Sequence, residues 1–178
     1  MDGKFPQYLK TSKIIPIQKN LNNTNINNLR PINTLYIIEQ LIKRAMYCQL
    51  EIFFEKQETF TENQFGFRGG QNTTDAISYF IRYIIEPLEN DETICTIFYD
   101  LKKAFETINH QALLSKIYNL GVQGEAHNLL STYLQNRAQV VKLGKFESLP
   151  IQNNYGVPQG SILGPLLFIV FICDLSKL

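Results

Sequence analysis

The run ILGPLLFIVFIC, Ile162 to Cys173, limits this chain more than any other stretch. It carries no charged residue, so a helix made from it is apolar on every side and needs cover on every side. A membrane-spanning helix takes about 20 such residues, and this run is shorter and interrupted by Gly164 and Pro165. It is therefore expected as a helix at the centre of a packed core. Ser161, just ahead of the run, is a candidate N-cap.

A core able to hold such a helix requires apolar residues elsewhere. Of the 178 residues, 44% are hydrophobic and 19% charged, a globular balance that excludes a disordered chain. The length fits one domain or two small lobes. The net charge is +1, so composition by itself points to no nucleic-acid partner. Residues 1–70 carry nine Lys/Arg against six Asp/Glu, and residues 71–178 carry eight against ten. That mild asymmetry reads, taken alone, as a solvated face. Cys48, Cys95 and Cys173 are far apart, with no CxxC or Cys/His cluster to hold zinc. Cys95 and Cys173 lie in apolar runs and are expected as small core residues of a reducing compartment. No signal-peptide pattern opens the chain, which points to an intracellular protein of cytoplasm or nucleus with no membrane association.

Along the chain, SKIIPI reads as a short strand, followed by an asparagine-rich loop, NLNNTNINNLRPIN. Residues 34–56 repeat apolar side chains at helical spacing, with Asn33 or Thr34 as candidate cap. A second amphipathic helix is predicted over about Thr74 to Leu88, with Ala76, Ile77, Phe80, Ile81, Ile84 and Ile85 on its apolar side. The period then changes. ETICTIFYD is β-branched and aromatic and reads as a buried strand. KKAFETINHQALLSKIYNLG reads as a helix stopped at Gly121, and GEAHNLLSTYLQNR as another. AQVVKLG and ESLPIQNNYG read as a strand pair across Gly144, and VPQG as a turn. A helical lobe is thus expected over 1–90, then a mixed α/β lobe from 93.

Three short segments carry chemistry. A strand ending at Asp100 would place a carboxylate at the edge of a sheet, where its oxygens and the Leu101 carbonyl can hold Mg²⁺. Taken alone, a helix cap is the simpler reading of Asp100. GVPQGSILGPLLF brings glycine-flanked backbone close to something and places Gln159 where it can hydrogen-bond a sugar or base edge. NQFGFRGG puts Arg68 on a glycine-flanked loop, where a guanidinium can grip phosphate oxygens bidentately.

Together these segments resemble the reverse transcriptases of non-LTR, LINE-type retrotransposons, Jockey-like elements among them. LKTSKIIPIQKN, NNLRPIN and NQFGFRGGQNTTDAI are similar to the family's fingers motifs. FYDLKKAFETINHQALLSKIYNLGV is similar to its first palm motif, and STYLQNRAQVV and NNYGVPQGSILGPLLFIVFICDL to the segments that follow. KKAFETINH and PQGSILGPLLF favour this type over group II intron maturases, whose turn tends to PQGG. The resemblance implies an α+β fold: right-hand polymerase fingers over 1–92 and a partial palm of split-βαβ type over 93–178. It implies RNA-templated DNA synthesis with Mg²⁺ or Mn²⁺, an RNA template, a DNA primer and deoxynucleoside triphosphates. It makes Asp100 the catalytic residue and, with Leu101, the metal ligand. Phe105 becomes a steric gate against the ribose 2′-OH. Lys103 and Ala104 would lie near the incoming triphosphate, Arg68 would contact it, and Gln159 would touch the nucleotide. Gly160, Lys13, Lys19 and Arg30 are weaker candidates for template or primer contact. The sequence departs from the family's pattern at Glu106, at Asn28-Leu29 and at FICDL.

Polymerases of this kind clamp the reacting oxygens with two metal ions about 4 Å apart, which one aspartate cannot hold. The family supplies the partner acids from an Ala-Asp-Asp hairpin downstream of the last helix, and no Asp-Asp pair occurs in this sequence. The resemblance thus implies a fragment that is inactive alone and lacks the following palm strands that would cover part of the last helix, with a non-catalytic nucleic-acid-binding remnant of a mobile element, or a group II intron maturase-type reverse transcriptase, as the alternatives. The sequence leaves the oligomeric state open.

Overall fold

The computed structural model describes residues 3–18, 29–34, 36–158 and 160–175. Its sheet begins with β1 (Thr11–Gln18) and β2 (Leu29–Thr34), paired antiparallel from Lys13 opposite Thr34 to Gln18 opposite Leu29. Pro16 faces Pro31 in this ladder. Two prolines, each without an N–H, suit a position where the ladder asks for no hydrogen bond. β3 (Arg137–Leu143) joins β1 in parallel, Thr11 opposite Ala138 and Ile14 opposite Val141. β4 (Phe146–Glu147) folds back on β3 through a two-residue turn opened by Gly144, whose φ of +60° suits such hairpins. β5 (Ile151–Asn153) also pairs with β3, Arg137 opposite Asn153. One sheet thus unites the start of the chain with its later part, rather than a helical lobe preceding a mixed one.

Five helices complete the fold: α1 (Ile37–Lys56), α2 (Thr73–Glu89), α3 (His110–Asn119), α4 (Gly124–Leu134) and α5 (Leu163–Ile172). Several boundaries correct the sequence reading. α1 starts after Tyr36, because Asn33 and Thr34 belong to β2, where the Thr34 hydroxyl donates to the Lys13 carbonyl at 3.0 Å. α2 opens with a capping box, the Asn72 side chain accepting from Asp75 N–H and the Asp75 carboxylate accepting from Asn72 N–H. The long helix expected from Lys102 is α3 alone, because Asn109 caps Ala112 N–H and residues 102–107 form turns. Ser161 caps no helix. Its hydroxyl lies 3.4 Å from that of Tyr133, and α5 begins without a side-chain cap.

The core forms where α5 meets the other helices. Leu163, Leu166, Leu167, Ile169 and Val170 are buried against Met46, Leu50 and Phe54 of α1, Leu113 and Ile117 of α3, and Leu130, Tyr133 and Leu134 of α4. Phe5 and Leu9 close one side, the Phe5 ring standing edge-on to Tyr133 at 5.1 Å. The apolar run therefore finds most of its cover within this chain, a smaller shortfall than expected, with Pro165, Phe168, Phe171 and Ile172 only partly buried.

The uncovered apolar surface lies elsewhere. α2 has no buried residue, and Ile77, Ile81, Tyr83, Ile85 and Leu88 face outward. ETICTIFYD, expected as a buried strand, pairs with no strand among the described residues, and Cys95, Ile97, Phe98 and Tyr99 are exposed. A strand takes its stability from cross-strand neighbours, and the β1–β3 sheet leaves this segment out. Its contact with α2 is Phe98 against Phe80, 5.6 Å between ring centroids.

Replacing Leu167 with Ala should therefore cost about 2–5 kcal/mol of folding stability, whereas Ile85→Ala should stay within about 0.5 kcal/mol. Urea unfolding of both variants measures this, and equal effects would contradict the observed cover of α5.

Candidate nucleotide and metal site

Three segments meet at Phe105. The first is the turn after Asp100: Glu106 N–H and Thr107 N–H both donate to the Lys103 carbonyl, at 2.8 and 3.2 Å. Lys103 sits at φ +55°, a left-handed conformation that costs a non-glycine residue energy and tends to mark functional turns. The second is the turn before α5. Val157 N–H donates to the Phe105 carbonyl and Gly156 N–H to the Ile108 carbonyl, both at 2.8 Å. The His110 ring reaches the Gly156 carbonyl at 2.7 Å, so its Nε2 carries the proton. Gly156 is at φ +74°, and a Cβ there would lie 2.6–2.7 Å from backbone atoms of Phe105 and Glu106. Only glycine lets the two turns lock. The third segment is the loop 65–70. The Phe67 ring stands 5.7 Å from that of Phe105, and the Phe168 ring of α5 lies 5.1 Å from it on another side. Phe105 is thus half-buried between two aromatics, while Asp100, Leu101 and Lys103 in front of it are exposed.

Arg68, next to Phe67, does not wave free. Its Nε and Nη2 donate to the two Glu55 carboxylate oxygens, each at 2.9 Å, and Nη1 donates to the Thr61 carbonyl at 2.9 Å. These hydrogen bonds to Glu55 raise the arginine's pKa further. One N–H on each terminal nitrogen remains for a ligand. One helical turn earlier, the Tyr47 hydroxyl donates to Glu51 at 2.6 Å, and burial with this bond pushes its pKa up to about 12. A Cβ on Gly69 would come within 3.1 Å of Glu51 Oε1. Tyr47, Glu51 and Glu55 thus form a rail along α1 beneath the FRGG loop.

A polar cavity of about 400 Å³ opens on the sheet side of the latch, lined among others by Asn33, Gln139, Asn153, Tyr155 and Gly156. Its amides and hydroxyl are suited to base edges and sugars.

A family model described as reverse transcriptase (RNA-dependent DNA polymerase) matches residues 17–178. The chain belongs to the reverse transcriptase family. It is 31% identical over 172 residues to the probable RNA-directed DNA polymerase from transposon BS of Drosophila melanogaster, an alignment covering 96% of this chain and 19% of that protein. It is 29% identical over 174 residues to the RNA-directed DNA polymerase from mobile element jockey of the same fly, covering 97% and 19%. A third Drosophila melanogaster relative, the probable RNA-directed DNA polymerase from transposon X-element, is 31% identical over 148 residues, covering 83% and 16%. The chain thus spans about a fifth of the length of these curated relatives.

In this reverse transcriptase chain the fold brings Asp100, Leu101, Lys103, Ala104, Phe105 and Arg68 to neighbouring turns. Gln159 and Lys19 lie outside the described residues. Arg30 stands on β2 opposite Ile17, and Gly160 follows at φ +82° with open space before it. Lys13 lies apart, ion-paired with Glu147 at 3.1 Å on the exposed sheet. Among the described residues no group of three or more His, Cys, Asp or Glu could hold a metal. Asp174 pairs with Lys116 instead. Asp100 and the Leu101 carbonyl are hard oxygen donors open to solvent, the right chemistry for one side of a Mg²⁺ shell and too few for all of it. No helix among the described residues is long and apolar enough to cross a membrane. Sequence reasoning missed the rail, although Tyr47, Glu51 and Glu55 recur at helical spacing, and it missed the partners of Gly156.

Gly156→Ala should destabilise by about 3 kcal/mol or more, since strain and a backbone clash add. Gly160→Ala, with space before it, should cost about 1 kcal/mol. Thermal and urea unfolding of the pair test whether the latch or the mere presence of glycine matters.

Proposed function

We propose that this chain is the nucleotide-binding part of an RNA-directed DNA polymerase. Residues 1–92 serve as fingers and 93–178 as the first part of a split-βαβ palm, acting with an RNA template, a DNA primer and deoxynucleoside triphosphates inside the cell. The observation that carries the reading is the position of Phe105, clamped between Phe67 and Phe168 five residues after an exposed carboxylate.

Each residue then has a task. The Phe105 ring, unable to move aside, fills the space that a ribose 2′-OH would need and leaves a 2′-deoxyribose room. Arg68 presents its two remaining N–H to phosphate oxygens, and its fork is held in place by Glu55 at no cost at the moment of binding. Lys103 and Ala104 line the path of the triphosphate, and Gln159 and Gly160 the base pair. Lys13, Lys19 and Arg30 guide the template or primer. Asp100 and the Leu101 carbonyl would hold Mg²⁺ or Mn²⁺, which supplies Lewis-acid stabilisation of the charge developing on phosphate oxygens. The remaining carboxylates must come from beyond the described residues. The exposed Ile97–Tyr99 segment, without a strand partner among the described residues, supports a strand-forming neighbour at that place. A non-catalytic strand-binding remnant is the second reading, favoured by the lack of a metal-binding acidic cluster among the described residues.

The chain alone should extend no primer. In a protein continued through an Asp-Asp hairpin, Asp100→Asn should lower kcat by about 10³-fold or more, and Phe105→Val should shrink the ratio of kcat/KM for deoxy- over ribonucleotides by at least about tenfold. Primer extension on an RNA template measures both. An unchanged ratio makes Phe105 a packing residue only, and retained activity in the Asp100 variant removes it from the chemistry.

In the same protein Glu55→Gln should raise KM for the nucleotide by about threefold to tenfold and leave kcat unchanged, because the arginine must then be ordered by the ligand. The pair is partly exposed, so the melting temperature should move little.

A further inference from the structure

One group of buried charges has no part in the site above. Lys10, Lys43 and Arg137 are buried cations, and Glu39 is the one buried carboxylate among the described residues. Arg137 Nη2 donates to Glu39 Oε1 at 2.9 Å. The Lys43 ammonium rests against the same oxygen as a charge contact, and neither Lys43 Nζ nor Glu39 Oε2 has a hydrogen-bond partner among the described residues. The Tyr133 ring lies 5.5 Å from Lys43 Nζ and 5.0 Å from the Arg137 guanidinium. The groups facing Lys43 are therefore Glu39 from its own helix, Arg137 from β3 and Tyr133 from α4. Burial holds the Tyr133 hydroxyl above its ordinary pKa, so it adds no negative charge. The cluster has more positive charge than negative, and an uncompensated buried charge is costly.

The same lysine lines a cavity of about 280 Å³ with Gln40, Arg44, Gly160 and Ile162, under a wall of Ile37 and Leu41. That is several times the ~30 Å³ a water occupies in the liquid. Gly160 is at φ +82° with nothing within 4 Å of where a Cβ would be, so its backbone is open to a visitor. Arg44 is exposed at the rim. We propose that this cavity, between α1 and the turn before α5, is a seat for a phosphate group, bound by Lys43 from within and Arg44 from the rim, with Gln40 and the Gly160 backbone beside them. The anion would supply the negative charge the cluster lacks. Its chemistry fits a phosphodiester of a polynucleotide strand or the tail of a free polyphosphate. Assigning it to a strand rests on the polymerase reading, whereas the seat itself does not.

Titration gives the seat a signature. Desolvation lowers the Lys43 pKa to about 8, against the opposing pull of Glu39. A phosphate beside it would raise that value again, so binding at pH 8 should take up on the order of half a proton. Without ligand the depressed pKa also means that stability rises with pH between about 8 and 10.5, where the unfolded chain binds the extra proton. Lys43→Met leaves the Glu39–Arg137 pair intact and removes the surplus, so it should fold at least as stably at pH 7 and lose that pH dependence.

The test is calorimetric titration of the purified chain, at pH 8 in buffers of different ionisation enthalpy. One arm uses inorganic tripolyphosphate and the other a ten-nucleotide single-stranded RNA. Lys43→Met should weaken binding by about tenfold and abolish proton uptake while melting no lower than the parent. Arg44→Ala should weaken it by several-fold and reduce the salt slope by about 0.7 in the RNA arm. An effect confined to RNA assigns the seat to a strand, and one confined to tripolyphosphate assigns it to a nucleotide tail. Either supports the seat. No binding by the parent chain, or parental affinity and proton uptake in Lys43→Met, overturns it. The polymerase reading is untouched by those results and falls only with the Asp100 and Phe105 variants.

Discussion

The 2.8 Å bonds that tie Val157 to Phe105 and Gly156 to Ile108 hold the rest of the site in place. They join a turn from the middle of the chain to the entrance of α5. Because α5 is anchored in the core through Leu163, Leu166, Leu167, Ile169 and Val170, the Phe105 turn inherits that rigidity although the residues before it are exposed. The arrangement needs a residue without a side chain at Gly156, and it needs His110 in the tautomer that donates to the Gly156 carbonyl. Phe67 and Phe168 flank the Phe105 ring, which is the immobility that the proposed gate requires.

What the sequence disclosed and what it withheld follow from the range of the forces involved. Helices α1, α2 and α4 were legible because their periodicity is written in neighbouring residues, and α5 because an all-apolar run has one destination. The order of the motif segments was legible from the family resemblance. The strand reading of ETICTIFYD went wrong because side-chain preference describes what a segment can pair with, not whether a partner is there. The extent of the cover over α5 was not legible for a related reason: burial by α1, α3 and α4 depends on packing between residues distant in sequence. Helix caps at Asn33 and Ser161 failed where a strand and a tyrosine took those residues first.

The arginine of the FRGG loop shows a further division of labour. Its position is set by a carboxylate on α1 rather than by the loop that carries it. A loop rich in glycine can adapt to a ligand, while the charged group it presents stays referenced to a helix of the core. Flexibility of backbone and precision of charge are thereby separated.

The parallel pairing of β1 with β3 has a consequence in time. Thr11 and Ala138 meet across more than 100 residues of intervening chain. During synthesis at about 5–20 residues per second, β1 would wait several seconds to tens of seconds for that neighbour. In that interval it has β2 alone, and a two-stranded ribbon is marginal in water. β1 is then secured long after it is made, and the isoleucines Ile14, Ile15 and Ile17 stay open to holdase chaperones, or to a neighbouring nascent copy on the same messenger, until β3 emerges.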